Sequence, residues 1–194
     1  MLRKRATIAG ILLVMAAVLS TGAIYAYFSD TETSSGNTFT AGTLDLKVNG
    51  VDNPVSSFTV GNVYPGASGS VSVTLTNSGT IAGTLTMAIV SVVNLPGVTT
   101  EPEAALGTPD NGELGANMQI TIWVDSDGDG TLDASESTLY SGLLNGAGGA
   151  LSVGNLAGGE STHVGIAYNV PTTVGNEIQG DICTFSIQYT LVQA

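Results

Sequence analysis

The sequence predicts an all-β protein, an antiparallel β-sandwich, and three observations carry that prediction. Apolar and polar residues alternate over several stretches, the period of a half-buried strand. Turn-forming clusters separate these stretches: Asn49-Gly50, Pro65-Gly66, Asn77-Ser78-Gly79, residues 146–149 and Gly158-Gly159. The body between them is rich in Thr, Ser, Val and Gly, and no long helical period follows the first apolar run.

That first run is the helix of a secretory signal. Arg3, Lys4 and Arg5 precede an apolar core from Ile8 to about Val18, and small residues follow. The segment Ala23-Ile24-Tyr25-Ala26 suits cleavage after Ala26. The apolar stretch continues to Phe28, roughly long enough to span a bilayer, so an uncleaved anchor is the competing reading. The cleavage-site pattern favours removal. The expected layout is a cleaved signal peptide helix (1–26), an N-terminal extension (27–38) and a β-sandwich (39–194). Contact with the membrane is expected only through the signal before cleavage.

The strands follow in order. Residues 39–48 place Leu44, Leu46 and Val48 on one face. Residues 70–76 do the same with Val71, Val73 and Leu75, and residues 80–95 are long enough for a strand with a bend near Gly83. Residues 97–117 carry Glu101, Glu103, Asp110 and Glu113 and read as a polar loop or a short helix, without a firm assignment. Ile120, Ile122 and Val124 alternate in the next strand, and 137–144 form another short one. Val164, Ile166, Tyr168 and Val170 mark a further strand. Cys183, Phe185, Ile187, Tyr189 and Leu191 line one face of the last.

Between two of these strands lies Asp125 to Glu136, DSDGDGTLDASE, with the spacing of a twelve-residue calcium loop. Asp125, Asp127 and Asp129 supply carboxylates, and Gly130 permits the sharp turn. Thr131 offers its carbonyl, Asp133 reaches the ion through a water, and Glu136 closes the site with both oxygens. Strands rather than helices flank the loop, so a structural calcium suits it better than a helix-opening switch. A solvated acidic turn is the bland alternative. Asp125→Ala or Glu136→Ala is expected to lower stability only when calcium is present.

Charge narrows the partners. Cleavage after Ala26 would leave Lys47 as the one basic side chain against sixteen acids, a formal charge of −15. Such a surface excludes nucleic acid, whose phosphates require Lys and Arg. It attracts divalent cations instead. Cys183 is the only cysteine, so no intrachain disulfide forms, and a buried inert thiol is expected. His163 is the only histidine, and no His-Glu-x-x-His occurs. Gly66-Ala67-Ser68-Gly69 lacks the spacing of a nucleophile elbow. The residues therefore point away from an enzyme. Trp123, beside the loop, is expected in the core or at an edge, and Gln179-Gly180-Asp181 in a turn.

Three segments carry a family resemblance: YFSDTETSSGNTFTAGTLDL at 27–46, VYPGASGSVSVTLTNSGTIAGTL at 63–85 and GNEIQGDICTFSIQYTLVQA at 175–194. In this order, behind this signal, they resemble the TasA/camelysin family of exported surface proteins and its archaeal bundling-pilus relatives. The resemblance implies a jelly-roll sandwich exported through a signal peptidase of the SipW type. It also implies a homo-oligomeric filament in a biofilm matrix outside the cell. In fibre-forming relatives the N-terminal segment completes the sheet of the next subunit; here that donor would begin with Tyr27, Phe28, Ser29, Asp30 and Thr31 and run to about Thr38. A disordered tail is the plainer reading of the same segment. A calcium-stabilised fibre subunit is thus the first expectation. A monomeric surface or matrix adhesin is the second, and a camelysin-like metalloendopeptidase the third.

Overall fold

The computed structural model describes residues 38–53, 63–107 and 109–194. The chain divides into two compact units, 1–40 and 41–194. The signal, the cleavage position at Ala26 and the extension from Tyr27 through Thr31 lie outside the described residues.

Among the described residues eight strands form two antiparallel sheets. They are β1 (Leu46–Val48), β2 (Ser68–Asn77), β3 (Gly83–Leu95), β4 (Gln119–Val124), β5 (Ser137–Leu143), β6 (Leu151–Leu156), β7 (Ser161–Asn169) and β8 (Ile182–Gln193). One sheet has the order β1-β2-β7-β4-β5, the other β6-β3-β8. The expected antiparallel sandwich is the fold observed.

The alternation read in the sequence is what builds the core. Val73 and Leu75 of β2, Ile120 and Ile122 of β4, and Val164 and Ile166 of β7 face Leu85, Met87 and Ile89 of β3 and Leu156 of β6. Burying each such side chain contributes about 1.5–3 kcal/mol. Asn77, at the end of β2, is a fully buried polar side chain. Its side-chain amide donates to the carbonyls of Ile81 and Leu156 and accepts the Gly79 N–H, so it fixes the turn after β2 to the other sheet.

The first strand is shorter than the alternation of 39–48 suggests. Only Leu46–Val48 enter the ladder with β2, while the carbonyls of Thr43 and Asp45 accept bonds from the Ser78–Ile81 turn. The bend expected near Gly83 lies elsewhere. Gly83 opens β3, and the register against β8 shifts between Val90 and Val93, where Ser91 takes a positive φ of 56°. The segment without a firm assignment forms two single-turn helices, α1 (Glu101–Ala104) and α2 (Leu114–Asn117).

Trp123 is buried outside the main core cluster. It pairs with Gly165, on the face opposite to Ile122 and Val124. Any Cβ at Gly165 would collide with the indole, so this glycine is required by close approach. Ser72 and His163 share that outer face, because Ser72 pairs with Gly165 and His163 lies two residues before it. Among the described residues no helix is long and apolar enough to cross a membrane.

Candidate metal centre

The Asp125–Glu136 connection joins β4 to β5 and folds back over the outer face of the five-stranded sheet. Gly128 lies against the His163 ring and Gly130 against Ser72 of β2. The Asp125 N–H donates to the His163 carbonyl, extending the β4–β7 ladder by one bond into the loop. Asp125 itself is fully buried.

Buried carboxylates need donors, and the loop provides them from its own backbone. Asp125 Oδ1 accepts the Gly128 N–H and Oδ2 the Gly130 N–H, both at 3.0 Å. Gly128 and Gly130 have φ of +76° and +74°, the left-handed conformation that turns both amides inward. Burial pushes the Asp125 carboxyl up. The nearby Ser72 hydroxyl, the Gly130 and Gly128 amides and the Asp127 side chain together outweigh it, so the group sits below the usual carboxylate range. Asp127 moves the other way. The Asp129 N–H holds it down, but burial and the charges of Asp129, Glu136 and Asp125 raise it overall.

The structure gathers positions 1, 3 and 12 of the loop: Asp125, Asp127 and Glu136 offer carboxylate oxygens that lie within 4.8 Å of one another. Glu136 reaches back over the loop, its Oε1 accepting the Ser126 N–H at 2.6 Å and its Oε2 the Asp133 N–H at 3.0 Å. Asp129 and Asp133 are exposed and do not belong to that trio. Asp129 Oδ1 accepts the Thr131 N–H at 2.6 Å, which shapes the turn.

The remaining singled-out residues have structural placements. His163 Nδ1 lies 3.1 Å from Thr74 Oγ1 on the neighbouring strand. Cys183 is half-buried, and burial and the Asp181 charge push its thiol up, which disfavours a nucleophilic thiolate. Gln179-Gly180-Asp181 is a turn with Gly180 at φ +87°. A second acidic group, Glu103, Asp110, Glu113 and Asp181, converges elsewhere. The sequence shows the first three of these acids close together, but Asp181 joins them only through the fold.

A family model described as camelysin metallo-endopeptidase matches residues 1–127, from the signal through the first residues of the loop. No curated protein matches the chain. A catalytic zinc is usually held by imidazole with carboxylate or thiolate. Both acidic groups here offer carboxylates alone, and His163 belongs to neither. That donor set does not fit a catalytic zinc; it suits a hard cation such as calcium. The match spans about two-thirds of the sequence, and the chain therefore belongs to the camelysin family, which includes TasA-type proteins.

Proposed function

We propose that this protein is an exported structural subunit of extracellular fibres, joined by donor-strand exchange and stabilised by calcium in the Asp125–Glu136 loop. The observation that carries the reading is the outer edge of β8. This twelve-residue strand closes one side of the three-stranded sheet, and among the described residues no strand pairs with its outer edge. Its core-facing residues Cys183, Ile187 and Leu191 stay half-buried, whereas Leu85, Met87 and Ile89 on the adjoining β3 are buried. A long edge with a partly covered apolar row is what an added strand completes, with backbone bonds for affinity and side-chain pockets for register.

Residues 27–38, with Tyr27 and Phe28 as apolar anchors and Ser29, Asp30 and Thr31 as the polar spacer, supply that strand to the next subunit. Removal of the signal after Ala26 by a SipW-type peptidase frees it. Calcium, held by Asp125, Asp127, Asp129, Asp133 and Glu136 with the Thr131 carbonyl, pins the β4–β5 connection of each subunit.

Electron microscopy of residues 27–194, beside a version starting at Gly36, tests the reading. Filaments from the longer chain alone are expected. Dispersed particles from both would overturn donor-strand assembly and leave a monomeric adhesin. The family's own description favours a second reading, an endopeptidase. Metal-dependent cleavage of casein by protein free of contaminating proteases would establish it.

A further inference from the structure

We infer that the molecule carries a second divalent-cation site, suited to calcium, formed by Glu103, Asp110, Glu113 and Asp181. The four side chains come from α1, the connection after it, the start of α2 and the turn before β8. Each offers a carboxylate oxygen, and these oxygens lie within 4.8 Å of one another. A calcium ion at 2.3–2.6 Å from its ligands holds opposite oxygens about 5 Å apart, so the spacing admits one.

Hydrogen bonds divide three of the four carboxylates in two. Asp110 Oδ2 accepts the Thr99 hydroxyl at 2.8 Å, and Glu113 Oε1 the Asn111 N–H at 3.3 Å. Asp181 Oδ2 accepts the N–H groups of Glu113 and Leu114 at 2.5 and 2.8 Å. The opposite oxygens, Asp110 Oδ1, Glu113 Oε2 and Asp181 Oδ1, are inaccessible and have no partner. One oxygen tied to a protein donor and the other turned inward is the arrangement of oriented metal ligands.

Glu103 adds the independent observation. Its residue is only 5% exposed, and neither Oε1 nor Oε2 has a hydrogen-bond partner. A buried carboxylate without partners is costly. Burial and then the charges of Asp110 and Asp181 push Glu103 up, and the nearby Thr100 amide, which makes no full hydrogen bond to it, only partly opposes them. Burial raises Asp181 as well. No basic side chain relieves the group: Lys47, the only one among the described residues, pairs with Asp45 and Asp52 near β1. Four converging carboxylates, with five buried oxygens that no protein donor satisfies and no base beside them, describe a place for a hard cation, with water completing the shell. Such an ion would tie the connection after β3 to the start of β8.

The site does not depend on the loop, and the test separates them. Calcium is titrated calorimetrically into the purified protein, into an Asp127→Asn/Glu136→Gln variant, and into that variant with Glu103→Gln added. Two, one and no ions per chain are expected. A loop-disabled variant that takes up no calcium at several millimolar would overturn the second site, as would unchanged uptake after Glu103→Gln. Cooperative melting of each variant checks folding, and Asp110→Asn replaces Glu103→Gln if that variant does not fold. Magnesium is expected to bind at least tenfold more weakly; the opposite preference would overturn the assignment to calcium.

Discussion

The two acidic groups flank β4, one in the loop after it and one beside the helical turn before it, and their buried carboxylates are in opposite electrostatic condition. Asp125 is held by two amides of its own loop and sits below the usual carboxylate range. Glu103 is nearly as buried, has no hydrogen-bond partner, and is pushed up. The difference comes from chain geometry. A loop with two left-handed glycines can wrap its backbone donors around one carboxylate. Side chains brought together from four separate segments have spent their nearby donors on orientation. The first arrangement is therefore partly organised without an ion, and the second is the one that most lacks a counter-charge.

Metal removal should show the largest effect. An ion present at a hundredfold its dissociation constant stabilises the folded state by about 2.7 kcal/mol per site. For a domain of this size that is roughly 5–10 °C in Tm. Calcium at that excess should therefore raise the melting temperature by that amount for each site filled, in scans against a chelated sample. A gain that disappears entirely in the Asp127→Asn/Glu136→Gln variant would remove the second half of the comparison.

Substitutions in the metal-free protein should differ in sign. Asp125→Ala strands the Gly128 and Gly130 amides and should cost about 2–3 kcal/mol even in chelator. The sequence alone suggests a loss confined to calcium-loaded protein; the burial of Asp125 changes that expectation. Glu103→Gln should do the reverse. A carboxylate whose pKa is raised by folding loses stability once ionised, so its neutral amide should melt higher in chelator and gain less from calcium. Urea titrations in chelator and in calcium read both signs. Equal losses for the two variants would mean that Glu103 is as well compensated as Asp125.

The same contrast explains what was legible in the sequence. Strand alternation at 70–76 and 182–192 survives folding because its period does not depend on distant partners, and the Asp125–Glu136 loop is a pattern of twelve consecutive residues. The cluster at Glu103 depends on Asp181, 68 residues after Glu113, docking onto the first amides of α2. Local pattern carries no signal for that contact. The acids at 101–113 were visible, but not what they converge on. Nor does the sequence reveal that the loop folds onto Ser72 and His163, since that follows from strand order.

Gly130→Ala should have a smaller effect, confined to the loop. An L-residue at φ +74° costs about 1–2 kcal/mol, and the new methyl group meets only ordinary contacts with Ser72 and Val71. The loss should appear in chelator and calcium alike, because the strain is in the backbone. Loss only in calcium would mean that the free loop does not hold this turn.

Trp123 offers the smallest signal and the sharpest separation of the two ends. It is the only tryptophan, it is buried, and it lies two residues before Asp125 on the face that the loop covers. Filling the loop should shift or quench its emission by a few per cent to a few tens of per cent. Filling the cluster at the far end of β4 should leave it unchanged. The change should therefore persist in Glu103→Gln and vanish in Asp127→Asn/Glu136→Gln, even though calorimetry still records an ion in the latter. A fluorescence change that survives in the loop-disabled variant would mean that β4 transmits strain between its ends, and the two groups would then have to be treated as one coupled unit.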